Sequence, residues 1–194
     1  MRKEIIDFLY KEYRDAIDYL NETSLEIGEE EFESDHEIIE ENFNNDLYML
    51  AFFAVCADGV ISDKEVENIH EISDMLGFEM DLDDRQCFID AIRENPFDIP
   101  KTLVVFVLRA YMKKVSVRTE YNEGAVNAEL RFIEAALCIY AEIMCAMAER
   151  VTEKEKKVIL DCLNTCCEYV SEAMHIDFSI SDEVKDIIDN AING

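Results

Sequence analysis

Three carboxylates in one short segment are the side chains of this sequence that are best suited to bind a cation. The segment CADGVISDKE, residues 56–65, places Asp58, Asp63 and Glu65 around a glycine. Carboxylate oxygens are the ligands that divalent cations such as Ca²⁺, Mg²⁺ and Mn²⁺ prefer. The spacing therefore makes these three residues a candidate site for one divalent cation.

The segment ends like an EF-hand loop but lacks the first half of one. Asp58, Gly59 and Glu65 align with the fifth, sixth and twelfth positions of that loop. Its first and third positions are then Ala54 and Cys56, where an EF-hand needs oxygen ligands. The sequence therefore excludes an EF-hand and favours a helix, a tight turn and a second helix.

A structural alternative explains the same residues without a ligand. Ser62-x-x-Glu65 is a capping box, in which each side chain accepts a hydrogen bond from a backbone N–H of the other residue. Gly59 suits the left-handed conformation that follows many helices, and Asp58 favours turns. Both interpretations, cation site and capped turn, stay open from the sequence.

A second copy of the pattern follows at an offset of 90 residues. LAFFAVCADGVISDKEVENI (50–69) aligns with YAEIMCAMAERVTEKEKKVI (140–159), and Thr152 and Glu155 form a second capping box. In each copy an apolar helix ends, the chain turns and a charged helix begins. We interpret the two segments as a duplicated helix pair, and we predict that the apolar helices pack together about a pseudo-two-fold axis.

The first copy resembles the TerB-like family of tellurite-resistance proteins, and is similar to the N-terminal region of DnaJ-like membrane co-chaperones. The matching residues are LAFFAVCADGVISDKEVENIHEISDMLGF, 50–78, with the pattern A-D-G-x-I-S-x-x-E. The resemblance covers about residues 45–175. It implies an all-helical bundle of seven or eight helices, and a role in stress response or as an adaptor in complexes at the inner membrane surface.

The resemblance also implies acidic residues near the repeat turns that hold a metal ion. It carries over to Asp58 and Glu65 in the first copy but only to Glu155 in the second. Ala148 and Glu149 stand where the second copy would need the aspartate and the glycine. At most one cation site is therefore expected.

The composition predicts long helices with short connections. The chain has 194 residues with only five glycines and two prolines, and 49% of its residues are hydrophobic. We predict one all-helical domain, with an N-terminal helix and acidic connector over 1–44, a duplicated core over 45–175 and a short C-terminal helix over 176–194. The predicted helices cover 2–21, 35–59, 63–77, 82–94, 101–115, 123–148, 153–174 and a segment after Ser181.

The strong acidity of the chain limits the classes of molecule that it can bind. A net charge of −27 repels phosphate backbones and anionic lipid heads, which argues against nucleic acid. It attracts basic proteins, so a metal-free acidic adaptor is the alternative to a cation-binding module. The one basic stretch contains Lys101, Arg109, Lys113, Lys114 and Arg118. These cations either form a docking surface for an acidic partner or interact with acidic residues of the protein itself.

The cysteines and the hydropathy indicate a reducing cytoplasm. The seven cysteines contain no C-x-x-C pair, and no signal peptide precedes them. No apolar run reaches the roughly 18 residues that a membrane span needs. We therefore expect free thiols and no transmembrane segment, and the oligomeric state stays open.

The helix predicted over 123–148 carries the remaining candidate chemistry. Glu142 interrupts an apolar run and shares a helical seam with Cys138 and Cys145, among other polar residues. This seam predicts a polar edge, with a soft-metal site as the less favoured alternative. No arrangement of nucleophile, base or phosphate-binding loop emerges, so we predict a non-enzymatic protein.

Overall fold

The computed structural model describes residues 3–27, 32–77, 84–95, 97–115, 123–148 and 151–193. Within these ranges the chain contains no strand, so the predicted all-α bundle is confirmed. The described residues form eight helices: α1 (Lys3–Ile27), α2 (His36–Val55), α3 (Asp63–Leu76), α4 (Arg85–Glu94), α5 (Lys101–Val115), α6 (Glu123–Met147), α7 (Glu153–Met174) and α8 (Asp182–Asn193).

Local signals located most helix ends correctly. Helices α5 and α7 begin and end where the pattern predicts, and α3 and α6 each end one residue earlier. Gly77 ends α3 in the left-handed conformation, with φ of 81°. The valines of α5 do not form a strand, because the segment is long enough to bury an apolar helical face.

The first connection differs from the prediction at both ends. Helix α1 continues to Ile27 instead of ending at residue 21, because Asn21 and Ser24 still face the protein interior. The predicted acidic connector, 26–37, is therefore shorter; residues 28–31 lie outside the described ranges.

The predicted ends of α2 are wrong in two respects. The spacing of Ser34 and Glu37, S-x-x-E, predicts a capping box at the start of this helix. That box is absent, because Asp35 is the N-cap and its carboxylate accepts a hydrogen bond from the Glu37 N–H at 2.9 Å. The helix then ends at Val55, with Cys56 as its C-cap, instead of at Gly59.

One hydrophobic core draws residues from all eight helices. Its centre lies along α6, which packs against α5, α2 and α8, while α1 covers α5. Tyr140, Phe106 and Phe43 are among its largest fully buried side chains. Burying a side chain of this kind stabilises the fold by about 1.5–3 kcal/mol.

The two apolar helices of the repeat pack against each other, as predicted. Helix α2 lies on α6, and each charged helix also contacts the apolar helix of the other copy, α3 with α6 and α7 with α2. The Asn68 side chain donates a hydrogen bond from Nδ2 to the Met147 carbonyl at 3.0 Å, across this boundary. Ile143 is fully buried, and Phe53 packs at the same core, edge-on against Phe97.

Candidate functional site

The turn after α2 is held by hydrogen bonds within the turn itself. The Asp58 carboxylate accepts from the Val60 N–H at 2.8 Å, and the Gly59 N–H donates to the Cys56 carbonyl at 3.1 Å. Gly59 has a φ of 87°, and a Cβ there would collide with the guanidinium of Arg93. Glycine is therefore the residue that this turn requires.

The two capping boxes of the repeat are present, as predicted. In the first copy the Ser62 hydroxyl accepts from the Glu65 N–H at 3.2 Å, and the Glu65 carboxylate accepts from the Ser62 N–H at 2.6 Å. In the second copy the corresponding distances between Thr152 and Glu155 are 3.3 Å and 2.6 Å. The two glutamates are buried, with exposed fractions of 7% and 3%. Each box thus satisfies backbone donors that would otherwise lack a partner at the helix start.

The three predicted cation ligands have separate partners in this structure. Asp63 is 93% exposed and pairs with the Arg85 guanidinium at 2.8 Å. Glu65 is engaged in the capping box, and Asp58 in its own turn. Within the described part of the chain, no group of three or more His, Cys, Asp or Glu side chains is placed to hold a metal ion. The divalent cation therefore stays a prediction that a binding measurement must test.

The buried glutamate of the first copy, Glu65, is affected electrostatically by carboxylates of both copies. The pKa of Glu65 is raised, chiefly by burial and further by the carboxylates of Glu155 and Asp58, although hydrogen bonds from Ser62 oppose the shift. Burial and the charge of Glu65 also raise the pKa of the Cys56 thiol to about 11. The guanidinium of Arg93 acts on the pKa of Cys56 in the opposite direction, so a cation of the protein itself lies near these carboxylates.

The basic residues at the end of α5 are directed at the protein's own acids. Nε of Arg109 lies 3.1 Å from Oε2 of Glu129, whose side chain is 1% exposed, and the Lys113 ammonium contacts the other oxygen of Glu129. Both cations also lie over the Tyr19 ring. The Lys114 ammonium donates to the Met174 carbonyl at the end of α7, at 2.5 Å. These contacts favour the internal role that the sequence analysis gave as one alternative for this stretch; Arg118 lies outside the described residues.

Sequence reasoning missed a buried carboxylate on α2, Asp46, which lies against the start of α5. Its oxygens accept hydrogen bonds from the N–H groups of Lys101 at 2.9 Å and Thr102 at 2.7 Å, and from the Thr102 hydroxyl at 2.7 Å. Burial raises the pKa of Asp46, while these hydrogen bonds and Lys101 act in the opposite direction. An aspartate inside the apolar pattern of α2 was the only local signal, and its partners lie 55 and 56 residues away.

The polar seam of α6 forms one wall of a cavity of about 510 Å³ beneath α8. Glu142 is half-buried and lines this cavity together with Cys138 and Glu134 of α6 and Glu183 of α8. This placement agrees with the predicted polar edge. Cys145 lines an adjoining cavity of about 310 Å³. Glu149, at the end of the predicted seam, lies outside the described residues.

Comparison of the chain with family models, with curated proteins and with solved structures finds no match. None of the described helices combines the length and the apolar character that crossing a lipid bilayer requires.

Proposed function

We propose that this protein is a non-enzymatic interaction module whose acidic surface recruits a basic protein partner. The observation that carries the proposal is the contrast between the net charge of −27 and the internal use of the cations on α5. Arg109 and Lys113 neutralise a buried glutamate, and Lys114 caps α7. These cations are therefore not available to offset the acids that line the outside of the bundle.

Such a charge distribution favours association with cations over long distances. An excess of one sign of charge raises the rate at which oppositely charged partners meet, and the effect falls steeply with ionic strength. The partner is then expected to bind strongly at low salt and weakly at high salt. Free thiols in all seven cysteines support a proposed location in a reducing compartment such as the cytoplasm.

The proposal is tested with a defined probe, a fluorescein-labelled 12-residue helical peptide in which lysine forms one face and leucine the other. Fluorescence anisotropy measures its binding to the full chain over a series of salt concentrations. We expect binding that weakens steadily as salt rises, and no binding of the same peptide with glutamate in place of lysine. Equal binding of both peptides, or of neither, would contradict the proposal.

A second candidate function is a TerB-like module with one divalent cation at Asp58 and Glu65. The observation that favours it is the raised pKa of Glu65, to which burial contributes most and the carboxylates of Glu155 and Asp58 contribute further, because a bound cation would stabilise the charged form of Glu65. The roles in stress response and in complexes at the inner membrane surface are proposed from the family resemblance alone.

Calorimetry and thermal unfolding with Ca²⁺, Mg²⁺ and Mn²⁺ test the cation. We expect heat and a rise in Tm for the wild type, and neither for Asp58→Ala. Asp74→Ala, which removes an exposed carboxylate of α3 away from the turn, is the control and should respond like the wild type. Absence of heat and of a Tm shift in the wild type would eliminate the site.

A further inference from the structure

A cavity lies between α6 and α8, and side chains of both helices line it. We call it the α6–α8 groove. Glu134, Cys138 and Glu142 of α6 and Glu183 and Ile187 of α8 line it. Its volume of about 510 Å³ lies within the range of about 300–1,000 Å³ that is usual for ligand pockets.

The groove continues along both helices. An adjoining cavity of about 310 Å³ shares Glu142 and Ile187 with the first and adds Cys145 and Ala191. From Glu134 to Cys145 the groove follows three turns of α6, or roughly 16 Å at 1.5 Å per residue. This length suits a short segment of a protein chain better than a single small ion.

The groove carries a net negative charge, because three carboxylates and one cation line it. Glu134, Glu142 and Glu183 form no ion pair within the described part of the chain, and Arg131 is the one cation among the residues that line the groove. Burial raises the pKa of the Cys138 thiol to about 11, and the negative charge of these three carboxylates contributes further to this increase.

We propose that the α6–α8 groove binds a lysine or arginine side chain presented by an amphipathic segment of the basic partner. The inference rests on the proposed function and names the surface that performs it. The aliphatic stem of such a side chain packs against Ile187, which is half-buried and lines the groove beside the carboxylates. The carboxylates of Glu134, Glu142 and Glu183 then face its charged end, and Glu142, the half-buried one of the three, attracts it most strongly.

The test compares two variants of equal net charge. The groove variant carries Glu134→Gln, Glu142→Gln and Glu183→Gln. The control variant removes three exposed carboxylates of α7 that do not line the groove, through Asp161→Asn, Glu168→Gln and Glu172→Gln. Anisotropy with the lysine–leucine peptide measures Kd for each, and thermal unfolding establishes that both variants are folded.

We expect the groove variant to lose at least about tenfold in affinity, which corresponds to about 1.4 kcal/mol, and the control to lose less than about twofold. The single variant Arg131→Gln should bind the peptide more tightly, because it removes the cation that opposes the ligand.

Equal losses in the two triple variants would overturn the groove as the docking surface and leave the proposed function standing. Failure of the wild type to bind the peptide would overturn both. Weaker binding by Arg131→Gln would show that the groove recognises an acid, which also overturns the inference.

Discussion

Removal of the Asp46 side chain should destabilise the protein more than removal of any exposed helix cap. Asp46 on α2 receives three hydrogen bonds from the first residues of α5, two from backbone N–H groups and one from the Thr102 hydroxyl. It thereby joins two helices whose contact residues are 55 and 56 positions apart. In Asp46→Ala these donors remain at a largely buried helix start without their acceptor.

The magnitude follows from the number of hydrogen bonds and from burial. Hydrogen bonds to a charged acceptor contribute about 1.5 kcal/mol or more each, so three contribute about 4.5 kcal/mol. Burial of the carboxylate, which raises the pKa of Asp46, subtracts from this sum at neutral pH. We therefore expect Asp46→Ala to lower the free energy of unfolding by about 3 kcal/mol at pH ~7.

Urea unfolding followed by far-ultraviolet circular dichroism measures this loss. With an m value of about 3 kcal/mol per molar, the midpoint should fall by about 1 M urea. The matched control is Asp35→Ala, because Asp35 is an exposed N-cap that accepts one hydrogen bond. Its removal should lower the free energy of unfolding by about 1 kcal/mol. Equal losses in the two variants would refute the structural role that we assign to Asp46.

Three further predictions concern the repeat and the thiols. Because the pKa of Glu65 is raised in the folded protein, its stabilising contribution is complete below about pH 4.5 and is lost as the pH rises through the folded pKa. The variant Glu65→Gln, which retains a capping box, should therefore gain stability relative to wild type towards neutral pH in urea titrations. A relative loss of stability would contradict this prediction. Ser62→Ala and Thr152→Ala should each lower the free energy of unfolding by about 1 kcal/mol, because the two capping boxes have the same geometry. The double variant should lose about 2 kcal/mol. Strongly unequal losses in the two single variants would contradict that equivalence. Cys87 is the one exposed cysteine and should react fast with a chromogenic disulfide in the folded protein. The other six thiols should react slowly, because burial raises their pKa, and all seven should react after unfolding. A second fast thiol in the folded protein would contradict this prediction.

The helices and their caps could be predicted because they depend on neighbours in the chain. The boxes at Ser62 and Thr152 join residues three positions apart, so sequence spacing alone specifies their geometry. Where two local signals competed, the prediction failed: Asp35, not Ser34, caps α2, because its carboxylate reaches the N–H of Glu37. Helix α1 continues to Ile27 beyond the apolar pattern, with Asn21 and Ser24 buried on its inner face, and the spacing of apolar residues did not indicate this extension.

The candidate cation site could not be settled from neighbouring residues, because the partners of its carboxylates depend on the tertiary structure. Proximity in the sequence suggested that Asp58, Asp63 and Glu65 converge, but each carboxylate has a different partner in the structure. The partner of Asp63 is Arg85, 22 residues further along the chain, and no local pattern indicated it.

The amino-acid sequence by itself determined an acidic, all-helical chain with two matched capped turns, because composition and hydrogen bonds between near neighbours suffice for these features. Only the tertiary structure decided which charges are used inside the protein and which remain outside. Packing brought Glu129 to the cations of α5, and it left the carboxylates of the α6–α8 groove without an ion-pair partner among the described residues. Such pairings depend on how whole helices lie against one another, so they are absent from any short stretch of the chain.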